Sequence, residues 1–287
     1  MTARWIRRFF FMPLNAVRHV RRMRGGAQAH LLEADDGNWY VVKFRNNPQH
    51  RRVLVNELLS ANFLAYLKIA APQIATVRLT SEFLAANPEI HMQIGSRQIE
   101  VEPGWHFGSR YPGDPGRTAV YDFLPDALLT QVANREDFRA ILVFDKWTAN
   151  ADGRQCIFYR ALVRGDRGGE TSSGRPRFVA QMIDNGYAFN GPHWDFPESA
   201  LQGLYARRVV YESVRSLDDF QPWLEQVMHF PEEVMDRAWK SLPPEWTDGE
   251  DEALERLLEE LFARRRRLPE LITACREART DPFPLWK

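Results

Sequence analysis

The sequence predicts an α+β fold in two parts, β-rich over residues 1–124 and mainly helical over 125–287. Three observations carry that prediction. Short runs rich in β-branched and aromatic residues recur between turn signals through the first third. The apolar run Ala119–Leu124 stops at Pro125, and the boundary is placed there. From about residue 198 the apolar residues recur at helical spacing to the end.

Val17–Arg24 and Ala27–Glu33 read as strands flanking Gly25-Gly26, where a tight backbone turn is easy. Asp35-Asp36-Gly37-Asn38 reads as a hairpin turn into a strand over Trp39–Phe44. Leu54, Leu58, Ala61, Leu64 and Ala65 lie at helical spacing, which predicts an amphipathic helix over about Val53–Leu67, stopped by Ala71-Pro72. Ile74–Thr80 and Met92–Val101 are strand candidates, and the Gly/Pro-rich residues 102–117 are expected to form a loop. Beyond Pro125 a helix is expected over Arg135–Trp147, with Phe138, Ile141, Leu142 and Phe144 inward. The strands Cys156–Arg160 and Phe178–Ile183 then enclose a Gly/Arg/Ser-rich stretch, 164–176, expected as a mobile hairpin tip. Asp251–Arg267 is a long amphipathic helix, acidic early and basic late as its dipole favours; Arg264–Arg267 reads as a solvated helix end.

Lys plus Arg number 38, as do Asp plus Glu, so the net charge gives no reason to expect a polyanion partner. The first 24 residues nevertheless carry seven Arg and no acid; a basic outer strand or short helix accounts for them, and direct nucleic-acid binding is not expected. The apolar run Phe9–Val17 is interrupted by Pro13 and Asn15, and no stretch is long enough to span a bilayer, so no membrane association is expected. Two cysteines, Cys156 and Cys275, fit a reducing compartment, and a cytoplasmic protein is expected.

Phosphoryl transfer needs backbone amides around phosphates, a cation on them, metal ligands, and a base near the attacking hydroxyl. The chain supplies such residues in order. Gly25-Gly26-Ala27-Gln28 lies between two strands, where backbone N–H groups can approach phosphate oxygens. Lys43 ends an apolar strand, and Glu57 follows on the amphipathic helix, a pairing that in kinase folds holds the lysine to phosphates. Tyr121-Asp122-Phe123 ends in Leu124-Pro125, a segment whose backbone could read adenine. Asn150-Ala151-Asp152-Gly153-Arg154 reads as a tight loop holding a carboxylate beside a cation, with Asp152 the candidate base. Asp184, in Ile183-Asp184-Asn185-Gly186, ends an apolar strand and suits a hard cation such as magnesium.

With these motifs in this order, the sequence resembles the HipA-like kinases over about Met23–Phe189. The resemblance implies a two-lobed protein-kinase-like fold, a β-rich N-lobe and a mainly helical C-lobe. It implies ATP- and magnesium-dependent phosphorylation of Ser or Thr on a protein. Some members are toxins held by a DNA-binding antitoxin, which implies an operon-coded protein partner. On this resemblance Lys43 binds phosphates, Asp152 is the catalytic base and Asp184 the metal ligand. Two departures stand out. The family places an Asn five residues beyond the catalytic Asp as a second metal ligand, where this chain has Ile157; Gln155 or Asn150 are the candidates to substitute. Toxin members carry a phosphorylatable Ser just before the glycines, where this chain has Met23. Two other readings are a small-molecule kinase on the same scaffold, and a pseudokinase that binds nucleotide or a protein partner without catalysis.

Overall fold

A computed structural model describes residues 13–163, 176–278 and 280–287. The first arginines, at 4, 7 and 8, and residues 164–175 of the expected hairpin tip lie outside the described residues. The chain forms two compact units, residues 1–47 with 73–110 and residues 48–72 with 111–287. The sequence places a lobe boundary at 124; the compact units group the first helix and residues 111–124 with the second. The helix belongs there because its apolar faces are used by the later helices.

In the first unit, β1 (Leu14–Arg22), β2 (His30–Ala34), β3 (Trp39–Lys43), β4 (Ile74–Leu79), β5 (His91–Ile94), β6 (Arg97–Glu100) and β7 (Gly104–Arg110) follow in chain order. Five of them close a barrel in the order β1-β2-β3-β7-β4, with β1 parallel to β4 and the other pairs antiparallel; β5 and β6 form a separate hairpin. The β2–β3 turn forms as its residues dictate. Gly37 takes φ 74°, and Asp36 accepts from the Asn38 backbone N–H (3.0 Å), the Asn38 amide (2.8 Å) and the Tyr40 hydroxyl (2.8 Å). Leu32, Tyr40, Val42, Phe44, Val77 and Met92 join one apolar core. Since side chains alternate along a strand, Lys43 lies on the face of β3 opposite Tyr40, Val42 and Phe44.

The loop expected at 102–117 contains β7, the strand that joins β3 to β4. Its glycines and polar residues hid it. Gly108 is there because a Cβ would stand 2.7 Å from a Val77 methyl, so the crowded barrel requires a residue without one. The single strand expected over Met92–Val101 is the β5–β6 hairpin, folded at Gly95 with φ 57°. A short helix, Ser81–Ala86, was not foreseen; the Thr80 hydroxyl caps it, accepting from the Phe83 N–H at 3.1 Å.

The second unit begins with α1 (Arg52–Tyr66) and contains β8 (Val120–Tyr121), α2 (Asp137–Thr148), β9 (Gln155–Leu162) and β10 (Pro176–Ile183). Helices α3 (Trp223–Met228), α4 (Glu232–Lys240), α5 (Pro244–Thr247), α6 (Asp251–Arg264) and α7 (Leu268–Arg276) follow. The strand expected over 119–124 shrinks to β8, which pairs with β9. Helix α1 packs on α4, α5 and the turn 188–193; α2 packs on α3, α6 and α7. Every residue of α2 except Arg139 is buried, so polar and charged side chains inside it must find partners within the protein. Among the described residues no helix is long and apolar enough to cross a membrane.

Candidate functional site

Strands β9 and β10 pair antiparallel, with Ile183 opposite Gln155. That register brings the residues just before β9 and just after β10 to one end of the ribbon: Asn150–Arg154 on one side, Asp184–Gly186 on the other. Both carboxylates singled out in the sequence, Asp152 and Asp184, therefore belong to neighbouring loops.

A buried ion pair holds these loops. Arg154 forks onto Asp145 of α2, through Nε to Oδ2 at 2.8 Å and through Nη2 to Oδ1. Its Nη1 donates to the carbonyl of Ile183 (2.8 Å) and to Asn185 Oδ1 (3.0 Å). Burial alone would lower the guanidinium's pKa, but the charge and hydrogen bonds of Asp145, followed by the charges of Asp184 and Glu57, outweigh it and raise the value. The sequence reading set a carboxylate beside a cation in this loop. The carboxylate bonded to Arg154 is Asp145, in the preceding helix. Asp152 faces outward, exposed, accepting from the Gly153 N–H (2.8 Å) and the Gln155 amide (3.2 Å).

The loop leaves α2 through Ala149 at φ 49°, and the Asn150 side chain fixes the next turn. Its amide donates to Asp145 Oδ1 (2.9 Å) and its oxygen accepts from the Asp152 N–H (3.2 Å). Asn150 is thus engaged at both ends within the loop, and a second lone pair of its oxygen is what it could offer a metal. The end of α2 is capped from far along the chain. Arg264 of α6 donates to the carbonyls of Trp147 (3.1 Å) and Lys146 (3.3 Å), a cation on a helix C-terminus. The solvated helix end expected at 264–267 is therefore corrected for Arg264, which is buried. Gly203, at φ 75°, lies so close that a Cβ there would stand 2.2 Å from Asp145 Cβ.

On the other side, Asp184 is half-buried at φ 60°, a left-handed conformation that Asp tolerates better than most residues. The chain beyond it is anchored by Asn56 of α1. The Asn56 amide donates to the carbonyls of Gly186 (2.8 Å), Ala188 (3.0 Å) and Gly191 (2.9 Å), and its oxygen accepts from the Trp194 indole (2.8 Å). Glu57, the next residue, is buried; a Cβ at Gly186 would lie 3.6 Å from its carboxylate and 2.5 Å from a Val53 methyl, so glycine is needed there. The Ala151 N–H donates to the Tyr187 carbonyl at 2.9 Å, stitching the two loops together.

The second unit thus collects Glu57, Asn150, Asp152, Gln155 and Asp184. Ile157 is held in β9 opposite Gln181 and offers no ligand atom. Among the described residues no group of three or more His, Cys, Asp or Glu side chains could hold a metal. The oxygens of Asp152 and Asp184 are hard donors, and their chemistry fits magnesium or manganese carried on phosphate, which takes one or two carboxylates from the protein. Tyr121, Asp122 and Phe123 are exposed, with Tyr121 edge-on to Phe178 (5.9 Å) and the Arg207 guanidinium 4.7 Å from the Phe123 ring.

The remaining candidates belong to the first unit. Gly25 takes φ 116° with open space where a Cβ would stand, and the Gln28 N–H closes the turn on the Gly25 carbonyl (3.2 Å). The Gln28 side chain serves structure: it accepts from Arg22 (2.6 Å) and the Gln93 N–H (2.7 Å), and donates to the Gln93 carbonyl (2.8 Å). The Ala27 carbonyl accepts from Asn47 at 2.7 Å. Lys43 is buried at the end of β3, opposite Phe107. Sequence reasoning did not single out Asp145, Asn56, Gly203 or Arg264 for the parts they play. The available signal was a polar or charged residue inside an otherwise apolar helix, as with Asn56 among Val53, Leu54, Val55, Leu58 and Leu59.

A family model described as HipA-like kinase matches residues 17–157. Among solved structures, the Golgi casein kinase with Mn/ADP bound aligns at TM-score 0.52 and 12% identity, over 92% of this chain and 74% of that one. A second structure of the Golgi casein kinase gives the same TM-score and identity over 92% and 73%. Hydra Fam20 with sugar aligns at 0.52 and 11% identity over 92% and 86%. At these identities the likeness concerns the fold, which is kinase-like. No curated protein matches the chain.

Proposed function

From the match of residues 17–157 to the HipA-like kinase family, we propose that the protein is an ATP- and magnesium-dependent phosphotransferase acting on a Ser or Thr hydroxyl of a protein. The observation that carries the proposal is the β9–β10 register, which sets the Asp152 and Asp184 loops side by side on one buried Arg154–Asp145 pair. That Mn and ADP were found on a neighbour of the same fold supports the choice of cofactors. The two lobes of the proposed kinase architecture are a β-rich N-lobe and a mainly helical C-lobe.

In this reading Asp184 holds the metal, with Gln155 or Asn150 adding an amide oxygen. Bound magnesium would neutralise charge on the β and γ phosphates. Lys43 and the amides of Gly25–Gln28 bind phosphates, while the backbone of Tyr121–Phe123 reads adenine. Asp152, exposed at its loop tip, takes the proton of the acceptor hydroxyl as that oxygen attacks the γ-phosphorus; the bond to the β–γ bridging oxygen breaks and ADP leaves. A small-molecule alcohol is the alternative acceptor, and an operon-coded protein is the proposed partner. Both described cysteines are free and buried, which suits the cytoplasm proposed as its compartment.

The test is a thermal-shift series with ATP and with ADP, plus and minus magnesium or manganese. Saturation at a hundredfold excess over Kd stabilises the folded protein by about 2.7 kcal/mol. A flat series up to millimolar nucleotide refutes the proposal. Asp184→Ala should abolish the metal-dependent part of the shift. Asp152→Ala should keep the shift and lose transfer by on the order of a hundredfold or more. The second reading, a nucleotide-binding pseudokinase, is favoured by Ile157, a strand residue without a ligand atom. Wild type that binds ATP and phosphorylates nothing, itself included, establishes it.

A further inference from the structure

We infer that Arg154 is a positioning residue, which sets the metal-holding conformation of Asp184 and registers the Asp152 loop against it; the inference rests on the kinase reading above. One nitrogen, Nη1, is shared by the two residues that flank Asp184: the Ile183 carbonyl at 2.8 Å and Asn185 Oδ1 at 3.0 Å. Asp184, at φ 60°, lies between these two anchors and cannot change its backbone angle without releasing one of them. The other edge of the same guanidinium is locked on Asp145, and Asp145 also accepts from Asn150, which in turn accepts from the Asp152 N–H. One planar group therefore references both carboxylate loops to the buried helix α2. Lysine cannot replace it: an ammonium is a point donor, whereas this site uses both edges of a rigid fork. Arg154 is fully buried at its side chain, so it acts on the reacting groups through Asp184 and Asp152 and does not itself meet solvent.

The experiment compares wild type, Arg154→Lys and Asn185→Ala. Asn185→Ala leaves the Arg154–Asp145 pair whole and removes one anchor beside Asp184, so it remains informative if Arg154→Lys fails to fold. Mn²⁺-dependent ADP binding is measured by calorimetry, metal-free ADP binding alongside it, and hydrogen exchange is followed in the peptide covering 182–188. In folded Arg154→Lys, the affinity for ADP with Mn²⁺ should fall about tenfold or more, the range seen when the supports of metal ligands are removed. Metal-free ADP binding should be unchanged, and exchange at 183–186 should speed up. Asn185→Ala should move both readouts in the same direction by a smaller factor. A role confined to stability would lower the melting temperature and leave the Mn²⁺-dependent affinity of the folded protein at its wild-type value. Wild-type binding retained by both variants overturns this inference alone. Wild type that fails to bind ADP with Mn²⁺ overturns it together with the proposed function.

Discussion

Replacing Asn56 with Ala removes the anchor of the segment that follows Asp184. The side chain has two N–H groups, spread over the carbonyls of Gly186, Ala188 and Gly191, and an oxygen that accepts from the Trp194 indole. Two donated bonds and one accepted bond, at about 1 kcal/mol net each, put the loss at about 3 kcal/mol. Carbonyls left dry add to it, and a water entering the space left by the amide subtracts. For a chain of this size about 3 kcal/mol corresponds to a fall in Tm of on the order of 6 °C. The assay is urea unfolding followed by tryptophan fluorescence, to which Trp194 contributes, and by far-UV circular dichroism. Two probes are needed because two compact units need not melt together. Asn56→Asp sharpens the test: it keeps the shape and the acceptor for Trp194 but faces the carbonyls with oxygen. It should be at least as damaging as Ala. A loss under about 1 kcal/mol for Ala, against the net worth of even one such bond, or a tolerated Asp, refutes the reasoning.

Gly203→Ala should lower stability by about 2 kcal/mol or more, since its Cβ would stand 2.2 Å from Asp145 Cβ at φ 75°; a wild-type melting curve would contradict that packing. Burial, then His19, lowers the His30 pKa to about 4, and burial, then Arg45, lowers that of His106 to about 3. The unfolded chain therefore binds more protons below the ordinary value of 6.5, and stability should fall as pH drops from about 6.5 toward 3. His106→Gln, which can still accept from the Arg45 N–H and donate to the Glu102 carbonyl, should flatten the pH dependence of urea midpoints; an unchanged slope contradicts this. Ile157→Asn should increase metal-dependent transfer if the missing amide ligand limits it. No gain in an active wild type would mean that Gln155 or Asn150 already serves, and Gln155→Ala would then cut the rate.

Local chemistry made much of this fold legible. The turn at Asp35–Asn38, the α1 periodicity and the β9 and β10 runs are each specified by neighbouring residues, and each was found within a few positions of its expected place. What escaped depends on distant partners. Strand β7 reads as a loop because Gly108 and His106 are chosen for a crowded barrel wall and a buried imidazole, not for strand propensity. In the candidate site, the ordering of Asn150, Asp152 and Asp184 was visible, but Arg154 was read against the nearest carboxylate in sequence. Its partner Asp145 sits inside a helix buried on nearly every side, where no amphipathic pattern marks one face as special.

Arg264 caps the helix that launches the Asp152 loop, and it lies 117 residues beyond Trp147, whose carbonyl it binds. During synthesis at about 5–20 residues per second, α2 is made roughly 6–23 s before that guanidinium exists. Over that interval nothing from α6 donates to the carbonyls of Lys146 and Trp147. The cap on α2 therefore forms only after α6 has been made, and until then the loop that α2 launches lacks that support.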